Sequence, residues 1–250
     1  HLEFVYARQI QALSTTRRVI LYRRQELRKT PFGLVDRVEE LRQVLDGLGL
    51  DQPDLIAHGD AAMVLFEFAL RYPQRCRSLT IIAQGADYRI APHPFIWLLH
   101  ELFIRLPIEH MLSAAFLRNT VLNYILAHNP DNKSAPALPR HLIEEQFSKI
   151  HQWPFVYKFS VLPIIHNFDI RKRIKVLTMP ILLVNRSDDS LSPEIKTRWL
   201  AEQLPNCAGY SVVSGRERFF MYSRAEAVTP FIAAFLAAPG VPTSSLKQMQ

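Results

Sequence analysis

The chain has 250 residues, 48% of them apolar, which suits one substantial core with a smaller attached unit and excludes a disordered or fibrous class. Thirty Lys and Arg against 23 Asp and Glu give a formal net charge of +7, a surface that attracts anionic partners in general. Zinc-finger spacing, an aromatic-basic ribonucleoprotein signature and a long basic arm are all missing, so nucleic acid is not the expected partner.

In chain order, "VILY" at 19–22 is the first strand signal, apolar and partly β-branched. Residues 32–50 place Leu34, Val38, Leu41, Leu45 and Leu48 at helical spacing and end on glycines. A short strand, "DLIAH" at 54–58, precedes a helical apolar run at 61–70, and "SLTIIAQG" at 78–85 reads as the next strand. Strand and helix alternate, the signature of a parallel α/β sheet. The alternation stops over residues 88–179, which are aromatic-rich and helical in pattern, broken by a polar loop or hinge at 128–139. "PILLVN" at 180–185 then resumes the sheet, followed by a helix at 193–204, the strand "GYSVV" at 209–213 and a last helix at 224–238 with Pro230 in its first turns. The expected organisation is a core made from residues 1–87 and 180–238, a helical cap over 88–179 and a disordered tail at 239–250.

Two cysteines, Cys76 and Cys207, imply no disulfide framework and favour a reducing, intracellular compartment. No run reaches the length of an uncharged membrane span, because Glu101, Arg105 and Glu109 interrupt the most apolar stretch, residues 94–117. The chain opens at His1, which leaves organellar targeting open and the compartment unassigned.

From about residue 6 to residue 238 the chain resembles the α/β-hydrolase superfamily, in the branch that carries a helical cap between the sixth and seventh strands. The resemblance lies in the order and spacing of "YARQIQAL", "RVILY", "LDGLGLDQPDLIAHG", "FALRYPQRCRSLTII", "MPILLVNRSDDSLSP" and "FIAAFLA". It implies a mostly parallel sheet flanked by helices, with N-terminal strands and the glycine-rich oxyanion loop missing or truncated. The loop "RRQELRKT" at 23–30 is basic where relatives carry an acidic residue and several glycines.

The resemblance also implies where chemistry should sit. The family's nucleophile occupies a small-x-nucleophile-x-small turn between strand and helix; here Ala57, His58, Gly59, Asp60 and Ala61 match it, and the nucleophile's place falls on Gly59. Glycine has no side chain to attack a carbonyl. The acid matches Asp189, four residues before Pro193, with Asp188 as the neighbouring alternative. The base position, normally histidine in a G-x-x-H-F context, falls on Arg218 in "GRERFF", and no histidine follows His166. A guanidinium stays protonated and cannot accept a proton. Asp60 is expected to cap the following helix and to supply an oxyanion remnant through its N–H. Asp189 and Arg218 are expected to form an ion pair that ties two loops together.

His58, Phe95, Trp97, Phe103, Trp153, Phe155 and Phe219 are the candidates to line a retained pocket, with packing of the aromatic rings against one another as the alternative. The stretch at 94–112 is a candidate to dock on a protein or on anionic lipid. The histidines at 93 and 100, or 141 and 151, lack the spacing of a metal set, and no cofactor is expected. Relatives without a working triad, such as the N-myc downstream-regulated proteins, imply a binding or assembly subunit with a protein partner or a small apolar ligand. The alternatives are a triad-independent enzyme using acids such as Asp60, Asp189 or Glu217, for cyclisation or proton transfer, and then a conventional esterase or other hydrolase.

Overall fold

The computed structural model describes residues 3–24, 32–88, 94–127, 139–148, 153–165, 168–189, 192–215, 217 and 219–240. Four parallel strands form one sheet in the order β1 (Asp54–His58), β2 (Ser78–Ile82), β3 (Ile181–Arg186) and β4 (Cys207–Val213). The described helices are α1 (Ala7–Ser14), α2 (Leu34–Gly47), α3 (Asp60–Arg71), α4 (Pro94–Arg105), α5 (Ala114–Ala127), α6 (Arg140–Ser148), α7 (Trp153–Val156), α8 (Leu162–Ile165), α9 (Glu194–Gln203), α10 (Phe220–Ser223) and α11 (Ala225–Ala237).

Every residue of β2 and β3 is buried, which is why both carry apolar side chains at successive positions, Ile81 and Ile82 in β2 and Ile181 to Val184 in β3: a parallel strand covered on both faces has no solvent side. The period of two sends Leu79, Ile81, Ile181 and Leu183 into one core with α2, α3 and α9. Ile82, Leu182 and Val184 face a second core with α1, α10 and α11. At the margin of the first core, the buried Glu67 of α3 is held by the part-exposed Arg71 Nε and Arg173 Nη2, each at 2.8 Å. Burial pushes the Glu67 carboxyl up, but the bonds from Arg173 and Arg71 outweigh it and hold its pKa below the usual carboxylate value.

Helices α4 to α8 fall between β2 and β3. At the base of this excursion Tyr88 N–H donates to Phe168 O at 3.2 Å and Ile170 N–H to Ala86 O at 2.9 Å, so the chain leaves and re-enters the core side by side. After re-entry Ile170, Ile174 and Leu177 are buried against the sheet, so the end of the 88–179 stretch packs with the core. Between α7 and α8 a π-helical turn, Tyr157–Val161, buries Lys158, whose Nζ donates to Leu106 O at 2.7 Å and pairs with Glu109 Oε2 at 2.5 Å.

Residues 19–22, expected as a strand, are not one. On the side of β1 away from β2 no described strand pairs with it, and an isolated extended segment has no ladder to join. Ile20 and Leu21 are accordingly 39% and 50% exposed. Pro230 stands sixth in α11, in its second turn, where its missing N–H forgoes one helical bond. The expected hinge falls almost wholly on 128–138 and the tail largely on 241–250, outside the described residues.

Two outcomes follow from this packing. Leu183→Ala, at a fully buried centre of the sheet, should cost about 2–5 kcal/mol in urea unfolding. Because the folded-state pKa of Glu67 is depressed, its contribution is present above the ordinary carboxyl pKa and lost as pH falls through the lowered folded value. Glu67→Gln should therefore be less stable than wild type near neutral pH and show a shallower loss of stability on acidification, read as urea midpoints across an acid series.

Candidate functional site

Gly59 joins β1 to α3 with φ 60° and ψ −128°, a left-handed conformation that glycine adopts at little cost and other residues hold under strain. Its N–H donates to Ile82 O at 3.0 Å, and its carbonyl accepts from Ala62 N–H at 2.9 Å. The turn is thus tied to both the neighbouring strand and the first turn of the helix. A Cβ built on Gly59 meets no heavy atom within 4 Å, so the crest of the turn faces open space.

Asp60 is the first residue of α3, and the cap is Gly59, which makes no side-chain bond. The Asp60 carboxylate lies in the first helical turn, where the dipole favours it, and accepts from Arg24 Nη1 at 2.8 Å. Arg24 comes from the basic loop that departs from the family pattern, so the departure places a cation beside the turn. On the other side of Gly59, His58 shares a 2.7 Å hydrogen bond between its Nδ1 and Tyr6 Oη and meets Phe220 edge to face.

Asp189 is buried, accepting from Ser192 N–H at 2.9 Å and pairing with Arg186 Nη2 at 2.9 Å. Arg186, also buried, donates through Nη1 to Glu217 O at 2.8 Å. This one guanidinium therefore joins the loops after β3 and β4, the task expected of Arg218, which lies outside the described residues. Glu217 in turn pairs with Arg224 Nη2 at 3.0 Å. A Cβ on Gly215, at φ 127°, would fall 2.0 Å from Glu217 Oε2, so this turn admits only glycine while the carboxylate keeps its place.

Of the pocket candidates, His58 lines a groove of about 710 Å³. Phe103 packs against the first core and meets Tyr157 edge to face. Phe155 is 39% exposed and stacks on Phe159, while Phe219 is buried in the second core beside Phe4. These three rings pack as the alternative reading allowed, and none lines the groove. The side chains of Phe95, Trp97 and Trp153 lie outside the described residues. The groove runs along β1 rather than beneath the inserted helices, and Tyr6 and Arg24 are its unanticipated polar neighbours of the turn; only their flanking motifs were visible in sequence. Both cysteines are free thiols, and burial pushes Cys76 up to about 12 and raises Cys207, which keeps each protonated.

This combination of parallel sheet, left-handed strand-to-helix turn and helical insertion is the α/β-hydrolase fold. The chain superposes on an esterase from Thermogutta terrifontis with TM-score 0.74 and 16% identity, covering 95% of this chain and 86% of that one. It superposes equally on a bromoperoxidase from Bacillus anthracis, with TM-score 0.74, 16% identity and coverage of 94% and 87%. In sequence it is similar to a protein of Azorhizobium caulinodans named "Putative carbamate hydrolase RutD", 26% identical over 240 residues that span 89% of this chain and 80% of the relative. A protein of the same name from Stutzerimonas stutzeri is 24% identical over 204 residues, 79% of this chain and 74% of the relative. No family model matches the chain.

Removing one partner of a buried ion pair strands the other charge. Asp189→Asn should accordingly lower stability by about 3–5 kcal/mol in chemical denaturation, and Arg186→Met with Asp189→Leu together should recover much of that loss.

Proposed function

We propose that this chain is a catalytically empty α/β-hydrolase-fold protein that acts by binding, as a subunit or adaptor. One observation carries the reading: the crest of the strand-to-helix turn is Gly59, a residue with nothing to form an acyl or alkyl intermediate. The other positions support it. Arg218 stands where the resemblance puts the proton acceptor, and a guanidinium holds its proton. Asp189 engages Arg186, so the carboxylate that would orient a base serves a structural pair. The Asp60 carboxylate beside the turn disfavours negative charge developing there, an effect that Arg24 offsets in part.

A second reading draws on the relatives' printed name. A carbamate could be split by water held between Asp60 and the open crest of Gly59, without a covalent intermediate. Steady-state assays separate the two. On the binding reading, p-nitrophenyl acetate and a p-nitrophenyl carbamate turn over no faster with folded protein than with the unfolded control. The Gly59→Ser variant, which the open space admits at a backbone cost of about 1–3 kcal/mol, also stays silent on this reading because Arg218 stands at the position that the resemblance gives to the base. Carbamate turnover that saturates in wild type and vanishes in Asp60→Asn would favour the second reading instead.

A further inference from the structure

We propose that the inserted helices carry a bilayer-docking face, an exposed apolar stripe between Leu98 and Phe116 that settles into the interface of a membrane containing anionic lipid. This goes beyond the binding role of the fold and does not rest on the emptiness of the crest.

Helix α4 is apolar on two sides. Phe103 and Ile104 pack against the first core, as one face of a surface helix should. Leu98, Leu102 and Leu106, however, recur at every fourth position, share another face and are between 40% and 53% exposed. Leu106 continues the helical path, since its N–H donates to Leu102 O at 2.9 Å. A surface helix ordinarily turns charged and polar groups outward, so this second apolar face serves nothing in the described core.

The apolar surface extends past α4. Lys158 pins the turn Ile108–His110 from within, through Leu106 O and the Glu109 carboxylate. On the outside His110 meets the exposed Phe155 edge to face at 5.5 Å. Met111 and Phe116 follow, 82% and 60% exposed. An apolar surface of this kind marks an interaction site. A side chain as bare as Met111 stands clear of its own chain, and a rigid partner would need a matching pocket to enclose it. Acyl chains close around such a knob without one, which is how amphipathic helices seat in the boundary between headgroups and tails.

Charge selects the lipid. Over residues 94–127 the acids are Glu101 and Glu109, and both are drawn in: Glu109 is buried against Lys158, and Glu101 is held by Arg105 Nη2 at 3.0 Å. The cations stand out instead. Arg105 is 77% exposed on the border of the stripe, and the part-exposed Arg118 follows Phe116. With the stripe in the boundary, their long stems would let both guanidinium groups reach lipid phosphates. The chain's net charge of +7 draws the whole molecule to the same negative surface. Among the described residues no helix is long and apolar enough to cross a membrane, so the contact lies on the bilayer.

The test is co-sedimentation of the full chain with vesicles of phosphatidylcholine and phosphatidylglycerol in equal parts, and with vesicles of phosphatidylcholine alone. Binding to the first should saturate, weaken at high salt and exceed binding to the second by at least about fivefold. Leu102→Glu and Met111→Glu, both at exposed positions, should each bind at least about tenfold more weakly while their circular dichroism matches wild type. Arg105→Gln should narrow the gap between the two vesicles. Ile195→Glu, at an exposed apolar position on α9 outside the insertion, should bind as wild type does. No binding to either vesicle, equal binding to both, or binding untouched by Leu102→Glu and Met111→Glu overturns the proposal. Dimers in vesicle-free buffer that Met111→Glu dissolves would assign the stripe to a second copy and overturn it too. None of these outcomes depends on ester or carbamate turnover, which tests the catalytic reading alone.

Discussion

The reversal at Gly59 is the constraint around which this molecule is arranged. Within one residue the chain passes from a strand into the first turn of α3, and the left-handed φ of 60° that permits it is costly for any residue with a Cβ. The reversal fixes α3 against the sheet, where Phe66 and Phe68 are wholly buried. It also fixes the flanking side chains: His58 descends to Tyr6 and Phe220, and Asp60 turns out to Arg24. In a catalytic relative such strain is tolerated for the reactivity of the central side chain. Here the residue at the crest is glycine, which holds the same conformation with little strain.

A second constraint operates at the far ends of β3 and β4. Arg186 and Asp189 are both buried, and a buried ion pair is retained only when geometry and further hydrogen bonds offset desolvation. The backbone N–H of Ser192 and the carbonyl of Glu217 supply those bonds. Gly215, in turn, leaves room for the Glu217 carboxylate that a Cβ there would meet.

Much of the scaffold was legible because parallel strands covered by helices write themselves as short apolar runs separated by helical periodicity. The runs at 54–58, 78–82 and 181–186 needed no context beyond their neighbours. The segment at 19–22 misled for the same reason: it has a strand's composition, but a strand is defined by its partner, and β1 offers an edge without a described ladder on that side. Asp60 was legible as a helix-start residue, yet its partner Arg24 lies 36 positions away and no local rule connects them. Arg186 was hidden similarly. An arginine ending a buried strand reads as a boundary until the Asp189 carboxylate and the Glu217 carbonyl converge on it in space.

The account stands on the emptiness of the turn's crest, and intact-protein mass spectrometry after incubation with an excess of a fluorophosphonate measures that most directly. Unchanged mass, with the folded state verified by its unfolding transition, is the predicted result. A stoichiometric covalent adduct, mapped to any residue beside Gly59, would contradict the central claim.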